Sequence, residues 1–215
     1  SNVMRNNIVL NEPLSRHTSW KVGGPADIFF TPNDRKDLSD FLKSNDCIIT
    51  WLGNGTNILV RDGGVRGAVI STKKSFNSIQ LLDRSNCKVE AGVSCFELAM
   101  YATKNNLGPA AFFSGIPGSI GGALTMNAGC FGHETWEFVK SVEVIDRNGD
   151  IHHLDPKEFS ISYRSVSFPF PLWFLSCEMI FPDKGVTTME ELKSLRDSRI
   201  ERQPLSENTC GSVFK

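Results

Sequence analysis

The stretch that decides the fold is SGIPGSIGGALTMNAGCFG, residues 114–132. Six of these nineteen residues are glycine, which reaches positive φ freely and lets a ligand lie directly against the backbone. Linkers are Gly/Ser-rich and polar, whereas this stretch also carries bulky apolar side chains, so we expect it to pack. The apolar residues are Ile116, Ile120, Leu124, Met126 and Phe131. A long surface loop is the alternative interpretation.

The glycines predict a turn in which successive backbone N–H groups converge on an anion, with Thr125, Met126 and Asn127 beside it. The residues of this turn are Gly115, Pro117, Gly118, Gly121 and Gly122. A rigid, bulky ligand is therefore the first kind that we expect here.

Composition places the chain among ordinary globular proteins. Its 215 residues are 40% hydrophobic, enough for a core in one large domain or two small ones. The formal charge of −1 comes from evenly mixed acidic and basic residues, so we expect neither nucleic acid nor a membrane surface as a partner. No apolar run approaches the roughly 18 residues of a membrane helix, and no signal pattern is present. We expect a cytoplasmic monomer.

The cysteines bear on metal and redox sites. They are Cys47, Cys87, Cys95, Cys130, Cys177 and Cys210. None lies at C-x-x-C spacing, which argues against a zinc site, and we expect no bound metal. In an ordinary cytoplasmic protein, we expect free, buried thiols.

The first part of the chain predicts strands around one helix. Asn33 or Asp34 can cap a helix that ends near Ser44, in which apolar residues recur at helical spacing. Apolar runs at residues 47–52 and 57–60 predict buried strands.

The junction between those two runs, Gly53-Asn54-Gly55-Thr56, distinguishes nucleotide-binding architectures. In a Rossmann fingerprint or a Walker loop, a glycine turn opens a helix whose N-terminus holds the phosphates. Here the turn opens a strand, so a phosphate would be held by loop amides with the Thr56 and Asn57 side chains. A hairpin with an Asn-Gly turn and no ligand is the equally open alternative.

The middle of the chain predicts short strands and one further helix. Ser94 and Glu97 form an S-x-x-E capping box for a helix that ends near Asn105. Asn148-Gly149 predicts a hairpin after a strand over residues 139–146. Further short strands are predicted at residues 67–70, 79–83, 88–91 and 151–154.

Residues 159–164 alternate between apolar and polar side chains, which predicts a strand with Arg164 projecting from the polar face at its end. An arginine in such a place is usually a solvated surface charge. The last strand predicted covers residues 173–181, and a helix capped by one of two threonines follows it. We place a domain boundary at residues 181–187.

Five motifs, in their order and spacing, resemble the bacterial UDP-N-acetylenolpyruvoylglucosamine reductases, the MurB enzymes of peptidoglycan precursor synthesis. The motifs are PLSRHTSWKVGGPADIF, WLGNGTNILVRDGGVRGAVI, FFSGIPGSIGGALTMNAGCFG, SYRS, and RQPL followed by GSVFK. The resemblance covers nearly the whole chain. The short gap after the SYRS motif resembles the family subtype that lacks an extra substrate-covering loop.

The resemblance implies an α+β fold of the vanillyl-alcohol-oxidase (PCMH) type, in which two α+β subdomains hold FAD. It implies an FAD-binding domain over residues 3–182, with subdomains over about 3–71 and 72–182. Residues 183–215 would begin a C-terminal substrate-binding α+β domain. The family's C-terminal catalytic glutamate has no counterpart in these residues, so we expect the chain to be C-terminally incomplete.

The resemblance also implies an NADPH-dependent flavin enzyme with dissociable, non-covalent FAD. Its substrate would be the nucleotide sugar UDP-N-acetylglucosamine enolpyruvate, reduced at the enolpyruvyl group to UDP-N-acetylmuramate. Arg164 matches the family's arginine that stabilises the enolate, and Ser212 matches its serine general acid. Tyr163, Arg202 and Lys215 match substrate-binding positions.

Two segments resemble the family's FAD-binding loops. The first comprises Gly53, Asn54, Gly55, Thr56 and Asn57. The second comprises Gly115, Ile116, Pro117, Gly118, Ser119, Gly121, Gly122, Asn127, Ala128 and Gly129. Two alternatives stay open: a flavin oxidase of the same fold that acts on another substrate, and a non-catalytic nucleotide-binding module.

Overall fold

The computed structural model describes residues 7–16, 25–52, 65–184 and 189–202. These residues contain two larger β-sheets, three two-stranded sheets and four α-helices. The strands are β1 (Ile8–Pro13), β2 (Pro25–Phe30), β3 (Ile49–Leu52), β4 (Val65–Ser71), β5 (Ile79–Leu81), β6 (Asn86–Glu90), β7 (Leu107–Gly108), β8 (Gly129–Cys130), β9 (His133–Glu134), β10 (Val139–Asp146), β11 (Ile151–Leu154), β12 (Ser160–Ser162), β13 (Ser165–Ser167), β14 (Leu172–Ile180) and β15 (Asp183–Lys184). The α-helices are α1 (Arg35–Ser44), α2 (Cys95–Lys104), α3 (Ile120–Met126) and α4 (Met189–Arg202). Short 3-10 helices lie at Leu14–Arg16, Ala111–Gly115, Thr135–Phe138 and Pro156–Glu158.

The first larger sheet has the strand order β1-β2-β4-β3, with β1 antiparallel to β2 and the other neighbours parallel. Helix α1 packs against it. The Asp34 carboxylate caps α1 by accepting a hydrogen bond from the Asp37 amide at 2.8 Å. On its buried face, Phe41 stacks on Phe30 of β2 with ring centroids 4.1 Å apart. The predicted helix is confirmed, with Asp34 as its cap.

The second larger sheet has the order β11-β10-β14-β6-β5 and is antiparallel throughout. The predicted hairpin after β10 is confirmed, with Gly149 at a φ of 85° in its turn. Helix α2 begins after Ser94, whose hydroxyl accepts a hydrogen bond from the Glu97 amide at 3.0 Å, and ends at Asn105, as predicted. Helices α2 and α3 bury apolar side chains in the core of this sheet.

One contact region holds α1 against the second sheet. We call it the packed junction, and it comprises Arg35, Phe76, Glu90, Gly92 and Glu143. Arg35 donates from Nε and Nη2 to the Glu143 carboxylate at 2.9 and 2.8 Å, and its Nη1 lies 2.9 Å from Glu90 Oε2. The guanidinium carbon of Arg35 lies 5.3 Å from the centroid of the Phe76 ring. Phe76 belongs to a core cluster that contains residues of both sheets, so apolar packing and paired charges together fix how the sheets meet.

The cysteine prediction is confirmed in part. Free thiols occur at Cys47, Cys87, Cys95 and Cys177, and all of these except Cys47 are buried. The prediction is wrong for Cys130, which is disulfide-bonded. Spacing along the chain excludes a C-x-x-C site, but it does not determine which cysteines the fold brings together.

Two predictions concern residues outside the described ranges, the strand at residues 57–60 and the threonine cap before α4. The last predicted strand is confirmed as β14, and α4 follows it. No helix in the described ranges is long and apolar enough to span a bilayer.

Candidate active site

The glycine-rich stretch folds into a turn followed by a short helix, α3, where the sequence predicted only a turn. Ser119 is the N-cap of α3, and its hydroxyl accepts a hydrogen bond from the Gly122 amide at 3.2 Å. Gly118, just before it, has a φ of 95°, which glycine adopts without strain. The helix was missed because adjacent glycines lower helix propensity by about 1 kcal/mol each relative to alanine.

Backbone hydrogen bonds join this segment to the turn after β6. The Ile120 amide donates to the Val93 carbonyl at 2.8 Å, and the Gly121 amide donates to the Ala91 carbonyl at 2.9 Å. The predicted convergence of free N–H groups is therefore wrong for Gly121 and for Gly122, whose amides already have acceptors within the protein.

A half-buried backbone surface, which we call the open glycine face, comprises Gly118, Ser119 and Gly122. A Cβ atom built on Gly118 has no described heavy atom within 4 Å, and one built on Gly122 meets only the Ser119 hydroxyl, at 3.5 Å. Packing among the described residues therefore does not require glycine at either position. The amides of Gly118 and Ser119 make no hydrogen bond to another described residue. Two amides without a described acceptor are suited to an anionic ligand group.

Other predicted cofactor residues of this segment serve protein contacts. Gly115, Ile116, Asn127 and Ala128 are buried, while Pro117, Gly118, Ser119, Gly121, Gly122 and Gly129 are half-buried. The Ala128 carbonyl accepts from the Thr135 amide at 2.9 Å and from its hydroxyl at 2.7 Å. A Cβ atom on Gly129 would lie 2.7 Å from the His133 carbonyl oxygen, so glycine there permits the pairing of β8 with β9.

Asn127 connects α3 to the two-stranded β12–β13 hairpin. It caps the end of α3 in the left-handed conformation, with a φ of 48°, and is only 2% exposed. Its Nδ2 donates to Glu134 Oε2 at 2.9 Å and to the Ser162 carbonyl at 3.1 Å, while its Oδ1 accepts from the Trp136 amide at 3.1 Å. A direct contact with FAD stays a prediction. Glu134 is not predictable as a partner of Asn127 from the sequence, because no local pattern connects the two residues.

Arg164 lies in the turn of the β12–β13 hairpin. The predicted strand before Arg164 is confirmed, and its last paired residue is Ser162. The predicted position of Arg164 on the polar face of that strand is wrong, because Arg164 lies beyond the paired residues and has a φ of 56°. Its Nη2 donates to the Tyr163 hydroxyl at 2.6 Å, and its guanidinium carbon lies 4.5 Å from the Tyr163 ring centroid. Its Nε is buried and has no hydrogen-bond partner among the described residues.

A buried donor on a permanent cation is costly unless something accepts its hydrogen bond. A carboxylate or an enolate oxygen is a suitable acceptor for the Nε–H of Arg164, because a charge-assisted hydrogen bond is stronger than a neutral one. Tyr163, which stacks on the guanidinium, is 65% exposed and so faces solvent beside it. This end of the hairpin is therefore suited to binding an anionic substrate group.

The remaining predicted site residues are placed as follows. Residues 53–57, Ser212 and Lys215 lie outside the described residues, and Arg202 is the last residue of α4. Within the described ranges, no cluster of three or more His, Cys, Asp or Glu side chains is arranged to hold a metal ion.

Known proteins that resemble this chain show its family. The family model described as an FAD binding domain matches residues 26–155. The UDP-N-acetylenolpyruvoylglucosamine reductase of Legionella pneumophila is 43% identical over 211 residues, which cover 97% of this chain and 70% of the relative. The protein of the same name from Methylococcus capsulatus is 43% identical over 208 residues, covering 95% of this chain and 68% of the relative.

Two solved structures resemble this chain in fold. UDP-N-acetylenolpyruvylglucosamine reductase (MurB) from Thermus caldophilus has a TM-score of 0.71 at 28% identity, over 94% of this chain and 71% of that one. The 6-hydroxy-D-nicotine oxidase of Arthrobacter nicotinovorans has a TM-score of 0.60 at 15% identity, over 84% of this chain and 44% of that one, and shares the fold alone. The fold is the α+β FAD-binding fold of the vanillyl-alcohol-oxidase (PCMH) type, and the chain belongs to the UDP-N-acetylenolpyruvoylglucosamine reductase family of FAD-dependent oxidoreductases.

Proposed function

We propose that this protein catalyses the NADPH-dependent reduction of the enolpyruvyl group of UDP-N-acetylglucosamine enolpyruvate to UDP-N-acetylmuramate, a step of peptidoglycan precursor synthesis. The relatives that carry the name of this reaction support the proposal. The structural observation that carries it is Arg164, whose buried Nε has no partner among the described residues.

Bound FAD would supply the hydride-transfer chemistry that links NADPH to the substrate. Addition of hydride to an enolpyruvyl ether builds negative charge on an enolate conjugated to a carboxylate. Arg164 offers this charge a cation that cannot lose its proton and an Nε–H donor. A well-aimed group of this kind stabilises the transition state by about 3 kcal/mol. Ser212 gives a proton to the neighbouring carbon as general acid. Tyr163, Arg202 and Lys215 bind the phosphate or carboxylate groups of the substrate.

FAD is held without a covalent bond by residues 53–57 and by the segment that contains the open glycine face. The amides of Gly118 and Ser119 supply donors to an anionic part of the cofactor. Acid precipitation of the yellow protein tests the mode of attachment. Colour in the supernatant supports dissociable FAD, and colour retained in the pellet contradicts it.

We place the cofactor and the substrate in different domains. Residues 3–182 form the FAD-binding domain, with subdomains over about 3–71 and 72–182, and residues 183–215 begin the substrate-binding domain. The protein acts as a monomer in the cytoplasm, and neither nucleic acid nor a membrane takes part. Size-exclusion chromatography with light scattering at the working concentration tests the monomer.

An absorption scan of the full-length protein, followed by anaerobic addition of NADPH, tests the function. We expect flavin bands that NADPH bleaches and that the enolpyruvyl nucleotide sugar restores. Rapid recovery of the bands with oxygen, together with indifference to that sugar, would instead identify a flavin oxidase. Protein without flavin bands even after addition of FAD would identify a non-catalytic nucleotide-binding module.

A further inference from the structure

The β12–β13 hairpin that carries Arg164 is a separate two-stranded sheet, outside both larger sheets. Ile161 and Val166 pack against the core of the second sheet, while the serines that alternate with them are exposed. Apolar packing holds the hairpin on the core, but it is non-directional and leaves small lateral shifts inexpensive. A directional contact is therefore needed to fix the position of the turn at Arg164.

The hydrogen bond from Asn127 Nδ2 to the Ser162 carbonyl, at 3.1 Å, provides such a contact. Ser162 is the last residue of β12 and stands two residues before Arg164. The other two side-chain hydrogen bonds of Asn127, to Glu134 and from the Trp136 amide, prevent its amide from rotating. Because Asn127 is 2% exposed, water does not compete freely for these groups.

We propose that Asn127 is a positioning residue for Arg164, which fixes the hairpin turn relative to the glycine-rich segment. This inference rests on the role given above to Arg164. Asparagine suits the position because it tolerates the left-handed backbone and offers two donors and an acceptor in one short side chain. This positioning role depends on the protein contacts of Asn127 and is separate from its predicted contact with FAD.

Asn127→Asp is the informative variant. It keeps the size, the tolerance of positive φ and the acceptor for the Trp136 amide, but it replaces the donor with an oxygen that faces two acceptors, the Ser162 carbonyl and the Glu134 carboxylate. We expect amide hydrogen exchange of residues 160–167 to become about tenfold faster or more, with the strands of the larger sheets unchanged. This readout needs neither cofactor nor turnover.

The two half-reactions of the full-length enzyme give the second readout. We expect reoxidation of the reduced flavin by the enolpyruvyl substrate to slow by about a hundredfold, because a shift of about 1 Å in a charged group can cost that much. Flavin reduction by NADPH should slow far less, since it does not need the cation of Arg164, and the rates are compared at full FAD occupancy because Asn127 is also a predicted FAD contact. The double variant N127D/R164Q should be no slower than R164Q alone.

Asn105→Asp is the matched control. Asn105 also donates from Nδ2 to a carbonyl, that of Tyr101 at 2.8 Å, at the end of α2, and it lies outside the site described above. We expect this control to leave exchange in the hairpin and both half-reactions unchanged. If N127D does not fold, Asn127→Gly keeps the backbone conformation and removes all side-chain hydrogen bonds.

Unchanged exchange in residues 160–167 would overturn the inference, and so would equal slowing of both half-reactions or additive effects in the double variant. A separate result bears on the proposed function. If R164Q reoxidises as fast as wild type, Arg164 does not have the proposed role, whereas the exchange measurement still decides whether Asn127 holds the hairpin.

Discussion

The packed junction and the β12–β13 hairpin each contain a central arginine. The protein supplies hydrogen-bond acceptors for nearly all the donors of one arginine and for fewer donors of the other. Arg35 uses Nε, Nη1 and Nη2 in contacts with the carboxylates of Glu143 and Glu90. Arg164 pairs one nitrogen with the Tyr163 hydroxyl, and its buried Nε has no partner among the described residues. Arg164 also has a positive φ, which is uncommon for a residue with a side chain.

This contrast distinguishes a residue that maintains the fold from one that awaits a ligand. Removal of Arg35 leaves two mostly buried carboxylates without their cation, so we expect the free energy of unfolding to fall. Removal of Arg164 leaves no protein carboxylate without its cation among the described contacts, so we expect the cost to fall on the reaction. Incomplete pairing of a buried charge is expensive in the free protein and becomes favourable when an anion binds.

The largest expected effect belongs to Arg164→Lys. Lysine keeps the positive charge but loses the Nε–H and the planar donor array. We expect kcat of the full-length enzyme to fall about a hundredfold or more, equivalent to about 3 kcal/mol of transition-state stabilisation, with FAD content unchanged. Steady-state kinetics and a thermal melt measure this. A large loss of thermal stability without a loss of kcat would show that Arg164 maintains the fold and does not act in the reaction.

Arg35→Met should have the opposite result. We expect the free energy of unfolding to fall by about 2–3 kcal/mol, because the Glu143 and Glu90 carboxylates keep little exposure and lose their partner. The kcat of the folded, FAD-loaded protein should stay near wild type. Denaturation in urea, followed by circular dichroism, measures the first quantity. Arg35→Lys is the milder matched variant, and a variant with full stability but reduced kcat would contradict the assignment.

Two glycines extend the comparison to the backbone. A Cβ atom on Gly92, in the packed junction, would lie 2.4 Å from the Phe76 carbonyl oxygen, so we expect Gly92→Ala to destabilise the fold by about 1–3 kcal/mol.

On the open glycine face, Gly122→Ala should stabilise the FAD-free protein by about 0.5–1 kcal/mol. It should also weaken FAD binding, because the methyl group occupies space beside the backbone. Melts without FAD and a flavin fluorescence titration measure both effects, and tight FAD binding by Gly122→Ala would place the cofactor elsewhere.

The smallest effect is the pH dependence of the packed junction. Burial opposes ionisation of Glu143, but hydrogen bonds from Arg35 and Ser176 outweigh it and hold the pKa of Glu143 below its ordinary value of 4.5. A lowered carboxyl pKa contributes stability above the unfolded value, and this stability is lost as the pH falls through the folded value. Between pH 7 and pH values below about 4.5, wild type should therefore lose more stability than Glu143→Gln. Equal losses of the free energy of unfolding in the two proteins, measured by urea denaturation at both pH values, would contradict this.

Local signals in the sequence were sufficient for much of the fold. Asp34 caps α1, Ser94 caps α2, and Asn148-Gly149 turns the β10–β11 hairpin, because each signal acts over a few neighbouring residues. Helix α3 could not be predicted in this way. Its glycines oppose a helix, and the hydrogen bonds to the Val93 and Ala91 carbonyls that support it come from a distant part of the chain.

The sequence by itself determined most of the regular elements, the family and the motifs that hold the candidate site residues. Only the tertiary structure decided which polar groups are already paired: Arg35 meets Glu143 across 108 positions, and Asn127 meets Ser162 across 35. The reason is physical, since capping, turn formation and periodicity depend on adjacent residues, whereas the pairing of a buried charge depends on which distant segments pack around it. For the same reason, only the folded chain distinguishes Arg164, which keeps a donor unpaired, from Arg35, which does not.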